Sequence, residues 1–244
     1  MINILIPLGG KSSFFDSHEF PYPKPLIEIH NKTMIQLVIE NFSGLTEKKF
    51  IFVVNKADCD THHLDDILSL LTDNQCEIVK LSGETKGAAC SALMAIEHID
   101  SQMQLIIANG DQVIDIDVPQ VIQDFKGRLL DAGVITFESV HPKWSYIRAD
   151  ERGHITESAE KRPLSKNAIA GFYYFKHGSD FVKAATQSIA KDANVNGMYY
   201  IAPTLNEIVL ANKVLGYHKI PAEKYHSFYS PQKIKEYEKE LEKC

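Results

Sequence analysis

Near the amino end, the chain has two glycines and a lysine, which are residue types that commonly bind phosphate. An apolar run from Ile2 to Leu8 stops at Gly9-Gly10, and Lys24 follows within a Pro-Lys-Pro sequence. Glycine lets backbone N–H groups come close to an anion, and lysine supplies the opposite charge. The pattern therefore indicates phosphate chemistry at this turn, although an ordinary strand-to-loop turn has the same glycines.

A carboxylate follows a second apolar run, which begins at Leu105 and ends in Asn109-Gly110-Asp111. Buried parallel strands have this composition, and ligands lie at the carboxyl ends of such strands. We therefore expect Asp111 at the edge of a site. A carboxylate there can hold Mg²⁺ against substrate phosphates. The alternative is a turn aspartate that caps the next element.

Predicted elements place these residues in an α/β protein with a mainly parallel mixed sheet. In the first 117 residues strands and helices alternate, as a parallel sheet requires. Apolar spacing predicts strands at 2–8, 49–55, 77–81 and from 105, and helices at 33–42, 61–71 and 86–99. The later part predicts strands at 133–139, 146–149, 154–160, 168–176 and 213–221, and helices at 179–190, 199–211 and 230–244. Short turns between several of these later strands favour antiparallel pairing.

Length and composition favour a globular protein that acts on small molecules. The chain has 244 residues, of which 44% are hydrophobic, and a formal net charge of −6. This charge argues against nucleic-acid binding through a basic surface and fits phosphorylated small molecules better. No stretch approaches the roughly 18 apolar residues that a membrane span needs. A strand follows Met1 without a charged leader, so we expect a cytoplasmic protein.

Cysteine and histidine spacing predicts no metal centre. Cys59, Cys76, Cys90 and Cys244 form no CxxC pair, and reduced thiols are the simplest interpretation. Cys90 is expected at a helix start, where a thiolate could be stabilised, although packing is the favoured role. The His62-His63 pair is interpreted as part of a solvated polar loop.

Seven stretches in order resemble the sugar-phosphate nucleotidyltransferases, and in particular the branch that serves bacterial capsule and lipopolysaccharide biosynthesis. The stretches are IPLGGKSSF, PKPLIEI, GETKGAACSALMAIE, LIIANGDQ, HPKWSY, ITESAEKRP and NAIAGFYYFKHGSDF. The resemblance implies a Rossmann-like three-layer sandwich, the fold shared with GT-A glycosyltransferases. It also implies one continuous domain, with a nucleotide-binding half at 1–117 and an antiparallel, acceptor-binding half at 118–244.

The resemblance assigns roles to particular residues. Lys24 would contact phosphates, and Asp111 would hold Mg²⁺. The residues implied in nucleotide binding are Leu8, Gly9, Gly10, Lys11, Ser12, Gly87 and Ala88. Those implied in acceptor binding are Trp144, Ser145, Tyr146, Glu160, Lys161, Asn167 and Gly171. The partners would be a nucleoside triphosphate and a phosphorylated small molecule, and self-association is left open.

Several of these residues also have a purely structural interpretation. Glu160-Lys161 could be an exposed ion pair beside a turn. The aromatic run 172–175 is more typical of a buried strand than of a stacking platform. Tyr199-Tyr200 could either cover the acceptor pocket or pack in the core.

The family pattern is not fully kept: Ser12 stands at the second glycine of its glycine loop, and two further departures concern groups that handle phosphate or metal. Phe14 stands where the glycine loop usually carries an arginine that grips pyrophosphate, and a phenyl ring offers neither charge nor hydrogen bonds. Lys11 could substitute as a point charge. Near the carboxyl end, Ser227 stands where many members have a second metal-binding aspartate, and Asp115, Asp117 or Glu207 could replace it.

Three functions are therefore compatible with the sequence. The leading hypothesis is Mg²⁺-dependent transfer of a nucleotidyl group from a nucleoside triphosphate to a sugar phosphate or similar compound, with release of pyrophosphate. A glycosyltransferase could instead bind a nucleotide sugar through Asp111 or through Asp115 and Asp117. A non-catalytic relative, as Phe14 and Ser227 would suggest, could bind a nucleotide or a sugar phosphate and act through a partner protein.

Overall fold

The computed structural model describes residues 1–10, 14–15 and 19–242. Strands in these ranges are β1 (Ile2–Pro7), β2 (Glu28–Ile29), β3 (Lys32–Thr33), β4 (Lys48–Asn55), β5 (Cys76–Leu81), β6 (Gln104–Ala108), β7 (Gln112–Ile114), β8 (Ala132–Glu138), β9 (Ser145–Ala149), β10 (Ile155–Glu160), β11 (Asn167–Phe175), β12 (Leu215–Lys219) and β13 (Tyr225–Ser227). Helices are α1 (Met34–Glu40), α2 (Lys56–His62), α3 (Leu64–Leu71), α4 (Ala88–Leu93), α5 (Ile96–Ile99), α6 (Val118–Gly127), α7 (Gly178–Ala190), α8 (Ile201–Leu210) and α9 (Pro231–Leu241).

A nine-stranded mixed sheet forms the centre of the molecule. Strand β1 lies between β4 and β6 and is parallel to both, and β5 extends the sheet in parallel beyond β4. Strand β11 then runs antiparallel to β6 and to β8, and β9 pairs antiparallel with β10. The predicted mainly parallel mixed sheet with antiparallel pairs in its later part is confirmed, although the last strand of the sheet, β12, pairs in parallel with β8. Strands from both predicted halves lie in this one sheet.

Helices cover both faces of the sheet. Alternate residues of β1 point to opposite sides, so that Ile4 packs in one apolar cluster and Leu5 in another. The first cluster takes side chains from α1, α3 and α6, and the second takes side chains from α4, α7 and α8. A parallel sheet needs such cover because both of its faces are apolar. The arrangement is the three-layer α/β fold that the sequence predicts. Within the described ranges, no helix combines the length and apolar character that a membrane span requires.

Two predicted helices are wrong in their extent. The helix predicted at 61–71 begins earlier, at Lys56, and is divided at His63, which has a left-handed backbone conformation with φ of 52°. His62 is therefore the last residue of α2 rather than part of a loop. Only Cys59 of α2 is buried, so this helix lacks the apolar spacing that would predict it. The helix predicted at 86–99 is likewise divided, into α4 and α5.

Helix α6 was not predicted, although its start has clear signals. The side chain of Asp117 caps the helix by accepting a hydrogen bond from the Gln120 amide, and a proline lies in the first turn. Buried apolar residues follow at helical spacing: Val118, Val121, Ile122 and Phe125. An aspartate cap followed by proline is a recognised helix-start pattern.

A bulge in β11 supports the turn that carries Asp111. The pairing register of β11 with β8 shifts between Ile169 and Tyr173, and Gly171 within the bulge has a φ of 58°. The Asn109 amide donates to the Gly171 carbonyl at 3.1 Å, and the Gln112 side-chain amide donates to the same oxygen at 3.0 Å. Glycine is needed here because a Cβ would collide with the side chains of Asn109 and Gln112.

We expect Gly171→Ala to lower the free energy of unfolding by about 2–4 kcal/mol, since it combines backbone strain with overpacking. Urea denaturation followed by circular dichroism measures the effect. Gly127→Ala at the end of α6 is the control, because a Cβ there would meet no atom within 4 Å. An equally small effect of both substitutions would contradict the structural role of Gly171.

Candidate active site

A cavity of about 330 Å³ lies at the carboxyl ends of β1 and β6. Because these strands are parallel neighbours, the loops that follow them leave the same edge of the sheet. The cavity is lined by Pro7, Leu8, Gly10, Phe14, Lys24, Pro25, Asn109, Gly110, Asp111 and Tyr229. The glycine turn and the aspartate that the sequence singles out thus open onto one space.

Lys24 and Asp111 form an ion pair at this cavity. Lys24 begins a short 3₁₀ turn, Lys24–Leu26, and prolines on both sides of the lysine restrict its backbone. The two side chains are 20% and 28% exposed, so both charges are largely withdrawn from water while still open to the cavity. Each charge reduces the cost of partly burying the other. The pair provides one cation for phosphate and one carboxylate for a metal ion.

A second cavity, of about 690 Å³, adjoins the first and shares with it Leu8, Gly10, Lys24 and Pro25. Its other walls come from the loop after β5, from the start of α2 with Lys56, Asp58 and Asp60, and from a group of aromatic side chains, namely Phe15, Phe20 and Tyr22. Gly9 also lines it, and a Cβ at Gly9 would lie 2.7 Å from Leu81 Cδ1. A side chain at this position would require the Leu81 side chain to move. Together the cavities offer room for a nucleoside beside a phosphate chain.

Among the described residues, the backbone amides of Gly9 and Gly10 have no acceptor. The preceding amide, that of Leu8, donates to the Val53 carbonyl at 2.7 Å within the sheet. In the described part of the chain, neither glycine amide donates to a protein acceptor. Free amides beside a lysine suit an anion. Lys11 and Ser12, also predicted in nucleotide binding, lie outside the described residues.

Gly87 and Ala88 line neither cavity. Gly87 has a φ of 109°, and a Cβ there would collide with the backbone of Tyr199. The Tyr199 amide donates to the Lys86 carbonyl at 2.7 Å, and the Tyr199 carbonyl accepts from the Ala89 amide at 3.0 Å. In this structure the segment joins the start of α4 to the residues before α8, and its predicted contact with the base stays a prediction.

Glu160 lies at the end of β10 and accepts a hydrogen bond from the Ser145 hydroxyl. Burial raises the pKa of Glu160, and the Ser145 hydrogen bond and the Lys161 charge oppose that shift. Burial beside this carboxylate also raises the pKa of Tyr173. Lys161 points elsewhere and donates to the Tyr200 hydroxyl at 2.8 Å. Glu160 and Lys161 therefore do not form an exposed ion pair with each other. The carboxylate and the ammonium each have a different partner.

Trp144 does not line the main cavity but packs against Tyr229, which does. Its indole packs edge-on against Phe137, Tyr225 and Tyr229, at centroid distances of 5.5, 5.5 and 6.4 Å. Tyr229 itself lines the cavity. The indole thus packs against that wall, although its contact with an acceptor stays a prediction.

Three further residues predicted in acceptor binding have structural positions. Tyr146 is fully buried, and its hydroxyl donates to the His141 carbonyl at 2.7 Å, so it offers no surface to an acceptor. Asn167 begins β11 opposite Glu138. Gly171 lies directly against the Asn109 side chain, with which a Cβ at this position would collide. Neither lines the main cavity, and their predicted roles rest on the resemblance alone.

The position of the missing second carboxylate is close to Asp111. Strand β13 pairs with β7, which sets Ser227 opposite Gln112, and the Phe228 amide donates to the Asp111 carbonyl at 2.7 Å. The suggested replacements have other partners. Asp115 is bound to His226 at 2.9 Å, Asp117 caps α6, and Glu207 pairs with Lys191 at 2.7 Å.

The donor set of the cavity fits Mg²⁺ only together with a phosphate ligand. Over the described residues, no group of three or more histidine, cysteine, aspartate or glutamate side chains could hold a metal ion. Among the described residues that line the main cavity, Asp111 alone supplies a carboxylate. One carboxylate with substrate phosphates and water is a usual Mg²⁺ environment. Asp111 is therefore a compatible ligand once a triphosphate is bound.

Cys90 has no sign of an activated thiolate. It lies in α4, and burial raises the pKa of its thiol. Cys59 is buried and free, and Cys76 is also free. Cys244 lies outside the described residues. The packing role favoured for Cys90 agrees with this environment.

The sequence analysis missed Asn109 and Tyr229 as parts of the site. Asn109 was treated as turn chemistry, although it lies at the carboxyl end of the same strand as Asp111 and lines the cavity. Tyr229 comes from a segment more than 110 positions later, and only the pairing of β13 with β7 brings it there. No local pattern could have identified it.

Comparison with known proteins gives the family. The family model for nucleotidyl transferases matches residues 20–210. This match covers most of the chain, and the chain belongs to the nucleotidyl transferase family. No curated protein sequence matches it significantly.

Solved structures with the same fold include proteins of sugar-nucleotide metabolism. A nucleoside-diphosphate-sugar pyrophosphorylase from Vibrio cholerae RC9 is 22% identical, with a TM-score of 0.85 over 97% of this chain and 99% of its own. A UDP-glucose pyrophosphorylase with bound UDP-glucose is 17% identical, with a TM-score of 0.75 over 100% and 99%. A Bacillus anthracis protein, provisionally assigned as a glucose-1-phosphate thymidylyltransferase, is 16% identical, with a TM-score of 0.76 over 100% and 96%.

Glu160 predicts a specific dependence of stability on pH. Its pKa is raised in the folded state, so the folded state binds this proton more tightly than the unfolded state does. The stabilisation is complete below the ordinary glutamate pKa and is lost as pH rises through the raised value. Urea denaturation between pH 4 and 8 should therefore show Glu160→Gln gaining stability relative to the unchanged protein as pH rises.

The control is Glu151→Gln, an exposed carboxylate in the turn after β9. We expect its stability to follow that of the unchanged protein over the same pH range. A Glu160→Gln variant whose stability difference does not change with pH would show that burial does not perturb this carboxylate.

Proposed function

We propose that this protein transfers a nucleotidyl group from a nucleoside triphosphate to a sugar phosphate or a similar phosphorylated small molecule, with release of pyrophosphate. One observation carries the proposal: the glycine turn, Lys24 and Asp111 border a single cavity. Membership of the nucleotidyl transferase family supports it. The names of the related structures, which join a nucleotide to a sugar, support a sugar phosphate as acceptor.

The reaction needs positioning and charge neutralisation rather than a covalent intermediate. A phosphate oxygen of the acceptor attacks the α-phosphorus in line, the bond between the α-phosphorus and its bridging oxygen breaks, and pyrophosphate leaves with that oxygen. The free amides of Gly9 and Gly10 hold phosphate oxygens, and Lys24 balances their charge. The larger adjoining cavity takes the nucleoside, which leaves the acceptor on the side of Glu160 and Lys161.

Asp111 would hold Mg²⁺ in this proposal. When bound, the ion would neutralise phosphate charge and polarise the α-phosphoryl group. With Asp111 so engaged, Lys24 would be available to the phosphates, which would give it a partner of opposite charge.

The biological setting is part of the proposal. A nucleotide sugar made here would serve as a glycosyl donor, and we propose bacterial surface polysaccharide synthesis as its use, on the strength of the ordered sequence resemblance. A cytoplasmic location suits a nucleoside triphosphate substrate.

A second candidate is a protein that binds the nucleotide without turnover. Phe14 lines the cavity at 59% exposure where the family has an arginine, and Ser227 adjoins the Asp111 turn in place of a carboxylate. Both changes remove groups that handle phosphate and metal. The following assay separates this candidate from catalysis.

Pyrophosphate release from each nucleoside triphosphate, combined with Mg²⁺ and a panel of sugar and small organic phosphates, tests the proposal. We expect one pair to turn over. Asp111→Asn should then lower kcat/KM by at least about a hundredfold, since a preorganised charge at the reacting phosphate is lost. Lys24→Ala should lower it by at least about tenfold. Removal of Mg²⁺ with a chelator should abolish turnover.

Asp66→Asn, an exposed carboxylate on α3, is the matched control and should leave kcat/KM unchanged. Calorimetric binding of a nucleotide without turnover of any pair would favour the second candidate. Full activity of Asp111→Asn would remove the proposed metal role.

A further inference from the structure

Lys143 is a cation held beside the main cavity by two aromatic rings. Its Nζ lies 4.3 Å from the centroid of the Trp144 ring and 3.8 Å from that of Tyr229. An ammonium is attracted to the face of such rings, most strongly where water is partly excluded. The side chain of Lys143 is itself partly buried. The lysine therefore has a defined position rather than a freely solvated one.

The loop that carries Lys143 is firmly attached. The Lys143 amide donates to Nδ1 of His141 at 3.2 Å, and the buried Tyr146 donates its hydroxyl to the His141 carbonyl at 2.7 Å. The Trp144 carbonyl accepts from the Lys161 amide at 3.0 Å. These bonds join the Lys143 loop to the segment that carries the predicted acceptor-binding residues.

Tyr229 connects Lys143 to the site. Its ring lines the same cavity as Lys24 and Asp111, so the Lys143 ammonium lies against the wall of that cavity. Phe14 lies on this wall as well, with its ring centroid 5.7 Å from that of Tyr229. Lys143 does not itself line the cavity, but it and Phe14, the residue that replaces the family's arginine, contact the same Tyr229 ring.

Even with the proposed Mg²⁺ at Asp111, a bound triphosphate leaves this cavity with excess negative charge. Lys24 is already paired with Asp111, so the two contribute no net charge. A triphosphate or pyrophosphate brings several negative charges, and burying them without opposite charge is costly. Across residues 1–10, 14–15 and 19–242, no carboxylate lies within ion-pair distance of Lys143, whose contacts are to neutral rings. An ammonium in that state is free to exchange its rings for a phosphate.

We propose that Lys143 binds substrate phosphate in this cavity, held ready on Trp144 and Tyr229 and turning on its flexible stem to the anion. This inference rests on the proposed function for the identity of the substrate. It assigns to Lys143 part of the charge that Phe14 cannot supply. The phosphate could belong to the nucleoside triphosphate or to the acceptor, and the experiment separates the two.

Trp144 provides a direct signal, because it is the only tryptophan of the chain. Departure of the ammonium from its ring should change the indole fluorescence. The experiment titrates pyrophosphate, a nucleoside triphosphate and a sugar phosphate separately into the intact protein with Mg²⁺. We expect at least one of them to give a saturable change in tryptophan emission. Calorimetry of the same solutions supplies the dissociation constant.

Lys143→Met is the test variant, since methionine keeps an apolar stem of similar length without the charge. We expect its dissociation constant for phosphate ligands to rise about tenfold, as for loss of one charged hydrogen bond, and its emission change to vanish. Lys183→Met, an exposed lysine on α7, is the control and should bind like the unchanged protein. A selective effect on pyrophosphate and triphosphate assigns Lys143 to the nucleotide, and a selective effect on the sugar phosphate assigns it to the acceptor.

Unchanged dissociation constants in Lys143→Met would overturn the inference, and an altered melting temperature alone would show that the lysine only supports the aromatic cluster. The outcomes also separate it from the proposed function. Turnover by the unchanged protein, with Lys143→Met equally active, would refute the role of Lys143 alone. Absence of turnover, with weaker pyrophosphate binding by Lys143→Met, would refute catalysis and support the phosphate role.

Discussion

The ion pair between Lys24 and Asp111 is the interaction on which the candidate site depends. It joins residues 87 positions apart, one from the loop after β1 and the other from the loop after β6. These loops meet because the two strands are parallel neighbours in the sheet. The pair stabilises two partly buried charges in the absence of substrate, and in the proposed reaction it separates so that the lysine faces phosphate and the carboxylate faces Mg²⁺. One contact thus accounts for both the folded geometry and the proposed chemistry.

The support behind Asp111 comes from the antiparallel part of the fold. The bulge at Gly171 accepts hydrogen bonds from Asn109 and Gln112, which lie on either side of the turn that carries the aspartate. From the opposite direction, β13 pairs with β7, and the Phe228 amide holds the Asp111 carbonyl. The same β13 connection brings Tyr225 and Tyr229 to the site, and with them the aromatic ring on which Lys143 rests. The later half of the chain therefore positions a site whose reactive groups come from the earlier half.

Local patterns in the sequence predicted the sheet and one edge of the site. Apolar runs that end at Gly9-Gly10 and at Asp111 are visible without a structure, and the rule for parallel strands brings their ends together. Helix α6 could also have been predicted from its aspartate cap. By contrast, α2 buries only Cys59 and has no apolar period, so its existence depends on tertiary packing. The contacts of Tyr229, Lys143 and Ser227 depend on strand pairing between distant segments, which no local pattern encodes.

A crystal structure with a non-hydrolysable nucleoside triphosphate and Mn²⁺ would test the central claim most directly, because the metal can be located by its anomalous scattering. We expect the triphosphate between the Gly10 backbone and Lys24, the metal signal at the Asp111 carboxylate, and the nucleoside in the larger adjoining cavity. A triphosphate bound outside the cavity that these residues border, or a metal ion held by other carboxylates, would contradict the assignment of this edge of the sheet as the active site.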